Sequence, residues 1–333
     1  MRKLRNSKVW IGAVLVVVLA ILAYVGWNRL LMAWAKDPGL GVRRLHEHGV
    51  TGAGVSVAII DGNIRTDHVE YKEQLAYYEE FSDFEWIPYG HHGSSVSSIL
   101  VGKDTGVAPG ASLYYFAINN AKATPADLAS LLRHILTFNQ DLPEDERIRV
   151  ISISNSPGEM EGIEEFEAAI NEAWQRGVFV IYSHYPTYTQ PPLAIHRVGC
   201  PPLKDRDDPL NYTLLNLQGN DQPVEDILQS SIQLDRDKGY VSLFVPVDYR
   251  TLAGPREGRG GRDYGPKEYY YLRDGGDSWW PPYIGGVLAL ALQVNPELTP
   301  EKMAALLVEG VYELDNGIRL IAPEKVVKLA QPK

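Results

Sequence analysis

Asp61 closes the apolar run VSVAII, His92 stands beside Gly93 in the small-residue stretch HHGSSVSSIL, and Ser278 lies just ahead of Pro282 and a long apolar segment. A carboxylate, an imidazole and a hydroxyl together can pass a proton and form a bond to an acyl carbon. The imidazole takes the hydroxyl proton as general base, while the carboxylate fixes the imidazole tautomer and stabilises its cation. Gly93 lets the His92 ring approach another side chain without steric obstruction. A hydroxyl near a helix N-terminus also meets unpaired backbone N–H groups and the positive end of the helix dipole, which stabilise an oxyanion. Each residue alone has a plainer use. An Asp at a strand end serves turns and caps, a Ser before a helix caps it, and His91 or His92 could be half of a metal pair. Adjacent residues point apart on a helix, and no third ligand follows at regular spacing, so we assign no metal and no other cofactor.

The elements that must position these residues alternate along the chain. VSVAII, LYYFAI (113–118), VISIS (150–154) and VFVIYS (178–183) are continuous apolar runs of strand length, and PADLASLLRHILTF and IEEFEAAINEAW between them have helical periodicity. Such strands, separated by helices, predict a parallel sheet covered on both faces, a doubly wound α/β fold. Asp61 then falls on the carboxyl edge of the sheet, where functional groups of such folds collect. Gly52 and Gly54 precede the first strand, so they do not form a dinucleotide fingerprint, whose glycines follow it. Between Tyr185 and Tyr240 the rhythm is lost, which predicts loops and short antiparallel pieces. VSLFVPV (241–247) is the next strand, and residues 252–267 read as a Gly-rich, basic, mobile surface loop. Pro282 to Val294 predicts an apolar helix, and Thr299-Pro300 caps another that ends near Val308.

The chain has 333 residues and a single cysteine, with 45% hydrophobic and 22% charged residues, which excludes disorder and a disulfide framework. Cys200 reads as a buried small apolar residue. Residues 1–35 carry five basic groups and no acid, leaving 27 basic against 42 acidic residues in the remainder, a net −15 that argues against nucleic acid as a partner. Trp10 to Trp27 holds no charge over 18 residues, enough to span a bilayer. Arg2, Lys3, Arg5 and Lys8 precede it and keep the N-terminus cytoplasmic by the positive-inside rule. The expected organisation is a basic cytoplasmic tail (1–9), a transmembrane signal anchor (10–27), a juxtamembrane linker (28–40) and an extracytoplasmic domain (41–333). A cleaved signal peptide is the alternative, with Ala33-Trp34-Ala35 offering small residues at a peptidase spacing.

The order Asp61, His92, Ser278 is that of one of the three known arrangements of the serine triad. From Gly41 to Val308 the chain resembles the subtilisin-like serine proteases. GAGVSVAIIDGNI is similar to that family's Asp block, and HHGSSVSSIL with GVAPGASLYYFAI to its His block and following strand. VISISNSPG is similar to its substrate-binding strand, and SWWPPYIGGVLALAL with NPELTPEKMAALL to its Ser block and closing helices. The resemblance implies Asp61, His92 and Ser278 as the catalytic triad, and Ser154, Asn155 and Ser156 as an edge against which an extended peptide lies. The sequence departs from the family in three places. The second His of the His block is Ser94-Ser95 here, Trp279 and Trp280 follow the Ser, and His184-Tyr185-Pro186 replaces the Gly-Asn pair whose amide donates to the oxyanion. Losing one such donor costs about 3–4 kcal/mol of transition-state stabilisation, and His184 or Tyr185 is the candidate replacement. Family members usually carry a folded propeptide, for which only about ten residues are left between the apolar span and the domain. The expected activity is a membrane-anchored serine endopeptidase with a protein or peptide substrate. The alternative is a catalytically weak or inactive relative that binds a peptide or partner protein in the same cleft. An α/β-hydrolase reading fails, because it needs a GxSxG elbow and the order Ser, acid, His.

Overall fold

Residues 2–82, 84, 90–155, 161–183, 187, 189–215, 224–254 and 264–332 are described by the structure, a computed structural model. A long helix, α1 (Arg2–Trp34), leads into a short one, α2 (Val42–Glu47). The first half then runs β1 (Ser56–Asp61), β2 (Leu75–Glu80), α3 (His91–Val101), β3 (Ser112–Ala117), α4 (Pro125–Asp141), β4 (Ile148–Ile153), α5 (Ile163–Gln175) and β5 (Phe179–Tyr182). These five strands form one parallel sheet in the order β2-β3-β1-β4-β5. Alternate side chains on each strand enter different cores. Val57 and Ile59 of β1 and Leu113 and Tyr115 of β3 join one, while Ala58, Ile60, Tyr114 and Phe116 join the other with α4 and α5. This two-sided burial is why the strands read as unbroken apolar runs.

The second half runs β6 (Leu193–Gly199), α6 (Val224–Asp237), β7 (Val241–Asp248), β8 (Arg250–Ala253), β9 (Tyr269–Leu272), α7 (Trp280–Val294), α8 (Pro300–Glu309), β10 (Val311–Glu313), β11 (Arg319–Ile321) and α9 (Pro323–Ala330). A second sheet has the order β10-β11-β7-β6, with β6 and β11 parallel to β7 and β10 antiparallel, and β8 and β9 form an antiparallel ribbon. Helix α7 is buried from Trp280 to Leu292, as a helix apolar on every side must be. It packs against α3, so the helix bearing His92 and the helix following Ser278 share one core.

The predicted strands and helices form, and three expectations change. Among its described residues, the stretch 185–240 holds a parallel strand, β6, and the amphipathic helix α6, with one short antiparallel bridge, Gly199 to Thr213. His196 and Arg197 interrupt the apolar run of β6, which hid it. In the expected loop 252–267, residues 255–263 lie outside the described residues, Leu252 and Ala253 belong to β8, and Tyr264 is buried. Residues 28–34, expected as linker, continue α1, and Ala35 after them is fully buried.

Candidate active site

β1 is the central strand of the first sheet, with β3 and β4 as neighbours, and it ends on Asp61. The Asp61 carboxylate has no solvent exposure, so its oxygens depend on protein donors. Oδ1 accepts from its neighbour's amide, Gly62 N (2.7 Å), and from Asn120 Nδ2 (3.1 Å). His92 Nδ1 lies 2.8 Å from Oδ1 and 3.0 Å from Oδ2. A carboxylate can only accept, so the proton sits on Nδ1 and Nε2 carries the lone pair of a base.

The approach of α3 to the end of β1 depends on two glycines. A Cβ on Gly93 would collide with the Tyr115 hydroxyl and the Gly62 carbonyl. Gly90, the residue that opens α3, donates its amide to both the carbonyl (3.0 Å) and the side chain (2.9 Å) of Asn63, just beyond Asp61. The serines after His92 are buried anchors. Ser94 bonds Tyr71 and Tyr264, and Ser95 bonds Tyr270 and the Ala253 carbonyl.

Ser278 lies in a single 3-10 turn, Asp277–Trp279, that leads directly into α7. No side chain caps α7, so Ser278 is not its capping residue. The turn is held from two sides. Ser183, at the end of β5, donates to the Asp277 carbonyl (3.1 Å), while Arg197 of β6 donates to the Gly275 carbonyl and pairs with Asp277 (3.2 Å). The Gly275 amide donates to the buried carboxylate of Asp248, at the end of β7 (2.7 Å). Burial pushes the Asp248 carboxyl up to about 6, and the Gly275 amide and Arg197 offset part of that rise.

The Trp279 ring packs against the His92 imidazole at a 31° tilt, with centroids 5.0 Å apart. Trp279 and Trp280 are both buried, so the two indoles that follow Ser278 are part of the core. Asp61 and His92 are thus joined directly, and Ser278 is adjacent to the residue that covers the imidazole. Among the described residues the Ser278 hydroxyl makes no hydrogen bond. Ser154 is buried and Asn155 partly exposed just beyond β4, whereas Ser156, His184 and Tyr185 lie outside the described residues. Burial pushes the Cys200 thiol up to about 11, which leaves it protonated near neutrality.

Sequence inspection missed Asn120, Arg197 and Asp248. A signal existed for the first and last, since each is a polar residue at or just past the carboxyl end of a strand. For Arg197 there was none, because its partners lie far along the chain.

The α/β fold with its parallel sheet is shared with several known proteins. Residues 52–184 match the subtilase family. Over 293 residues the chain is 25% identical to serine protease AprX of Bacillus subtilis (strain 168), an alignment that covers 78% of this chain and 62% of that protein. Among solved structures, the prenylagaramide maturation protease PagA superposes with a TM-score of 0.55 at 17% identity, covering 87% of this chain and 98% of that one. A structure from the work on subtilase cytotoxin SubAB assembly superposes with a TM-score of 0.63 at 12% identity, covering 88% and 95%. Residues 52–184 are thus similar to the subtilase family, with the low sequence identity of a divergent relative.

Proposed function

We propose that this chain is a membrane-anchored serine endopeptidase. His92 Nε2 takes the Ser278 proton as Oγ attacks the scissile carbonyl, and Asp61 holds the imidazole and stabilises its cation. The proton then passes to the leaving amine, and water hydrolyses the acyl-enzyme by the same route in reverse. The Ser278 amide, with a donor from His184 or Tyr185, binds the oxyanion. Substrate lies extended along Ser154, Asn155 and Ser156. One observation carries the proposal: the buried Asp61 carboxylate pairs with His92 Nδ1 while the residue after Ser278 packs its ring against that imidazole. The serine protease similar to this chain in sequence points the same way.

The anchor is α1. Ala13–Trp34 is long and apolar enough to cross a membrane, and little of it is buried. Four basic residues before the apolar run place the N-terminus in the cytoplasm and the domain outside it. Leu31 and Ala35 are buried against the domain, which supports a retained helix over a cleaved signal.

The test is hydrolysis of an unfolded protein substrate by the purified full chain. We expect wild type to cut it and Ser278→Ala to leave it intact, with an initial burst where deacylation is slow. Among the described residues the Ser278 hydroxyl has no hydrogen-bond partner, which favours a second reading, a cleft that binds peptide without cutting it. Peptide bound by wild type and recovered intact would establish that reading and remove the first.

A further inference from the structure

Exposed apolar side chains cover α1 from Val14 to Leu30, and then the helix enters the domain without a break. The junction is fixed on several sides. Leu31 and Ala35 are buried, and Trp34 Nε1 donates to the Lys204 carbonyl (2.9 Å) with the Arg206 guanidinium 4.7 Å over its ring. Lys36 bonds Asp104 (3.1 Å), approaches the buried Glu70 (3.5 Å) and sits 3.9 Å over the Tyr269 ring. Thr251 of β8 clasps the helix end, its hydroxyl donating to the Met32 carbonyl (2.9 Å) and its amide to the Ala35 carbonyl (3.0 Å).

The same strand reaches the base. Two residues after Thr251, the Ala253 carbonyl accepts from Ser95 Oγ (3.1 Å) and the Ala253 amide donates to Ser98 Oγ (3.1 Å). Ser95 lies one turn of α3 from His92. Two strand residues extend about 7 Å and one helical turn rises about 5 Å. With the two hydrogen bonds and the roughly 12 Å of α1 from Trp27 to Ala35, the path from the end of the apolar run to His92 is at most about 30 Å. An extended polypeptide covers that distance in about nine residues. A flexible tether would let the cleft sample a wide volume, but no such tether lies between α1 and the domain.

We infer that the substrates are the membrane-proximal segments of bilayer-anchored polypeptides, with the innermost cut no farther than about ten residues from the point where they leave the membrane, where an extended stalk first spans the distance to the cleft. The inference rests on the endopeptidase reading and on α1 as the retained span. A soluble polypeptide could still reach the cleft, but a co-anchored one is held there at high effective concentration.

The full chain is reconstituted in phosphatidylethanolamine/phosphatidylglycerol vesicles with a single-span polypeptide whose exported stalk is about forty unstructured residues, a length chosen to exceed the reach of the cleft several-fold. Cut positions are read by mass spectrometry. We expect the innermost cut at or before about the tenth stalk residue, and a seven-residue helical insertion after Trp27 should move that innermost position outward by about three residues. An innermost cut well beyond the tenth residue, an innermost cut that ignores the insertion, or an uncut stalk would each overturn the inference. Fluorophosphonate labelling of Ser278 in the same vesicles separates the two levels. Labelling without that innermost limit rejects this inference alone, whereas no labelling rejects the endopeptidase reading and the inference with it.

Discussion

The buried Asp61 carboxylate accepts from Gly62, Asn120 and His92, and that sets how the site responds to substitution. Asp61→Asn puts an amide donor where His92 needs an acceptor and favours the wrong imidazole tautomer. We expect kcat to fall about 10⁴-fold with the fold intact, measured as hydrolysis beside an unchanged circular dichroism spectrum. A loss under tenfold would contradict the assigned role. Asn120 touches the acid without reaching the reacting atoms, so it is a positioning residue. Asn120→Ala should lower kcat about tenfold, the weight of one hydrogen bond to a charged group, and leave KM unchanged. A change confined to KM would place Asn120 in substrate binding. The ends of β1, α3 and α7 at which Asp61, His92 and Ser278 lie were legible in the local sequence. Asn120 carried only the general signal of a polar residue past a strand end, and its contact with Asp61 depends on β3 pairing beside β1, which a single strand's sequence does not encode.

At the scale of elements, α7 contains two adjacent glycines with opposite surroundings. A Cβ on Gly286 would lie 2.6 Å from Val107 Cβ, whereas one on Gly285 meets nothing closer than 3.4 Å, at a Leu100 methyl. Gly286→Ala should cost about 1–3 kcal/mol by overpacking, and Gly285→Ala should cost nothing or stabilise the helix. Urea denaturation of both variants checks this, and equal effects would contradict the packing described. The turn carrying Ser278 adds a pH dependence. The folded chain holds the Asp248 proton more tightly than the unfolded one, so stability present near pH 4 is lost as pH rises through about 6. The difference from an ordinary carboxyl corresponds to about 3 kcal/mol. Asp248→Asn keeps an acceptor for the Gly275 amide and removes the buried charge, so its stability should fall less than that of wild type between pH 4 and 6. A parallel pair of pH–stability curves would contradict this. Strands buried on both faces were readable as apolar runs. β2 was not, since LAYYEE is half-exposed at the sheet edge, and α6 was not, since it buries little beyond Leu228, Ile232 and Asp235.

For the whole molecule, α1 is part of the domain as well as an apolar span. A chain beginning at residue 29 keeps Leu31, Trp34, Ala35 and Lys36, and should unfold at the temperature of the full protein in detergent. A chain beginning at residue 38 loses these contacts and should be less stable by about 3 kcal/mol or more, from the burial of Leu31 and Trp34 alone. Equal melting temperatures would show that the junction contributes nothing. The parallel α/β architecture and the apolar span were visible in the sequence. The docking of α1 was not, because Thr251 and Lys204 come from segments far along the chain that only the folded structure brings to the helix end.

The most direct measurement is reaction of the folded full chain with a fluorophosphonate, followed by peptide mapping of the adduct. A hydroxyl activated by the His92–Asp61 pair takes the label at Ser278, Ser278→Ala takes none, and His92→Ala is labelled far more slowly. A folded wild-type protein that stays unlabelled, or carries the adduct on another serine, would contradict the account.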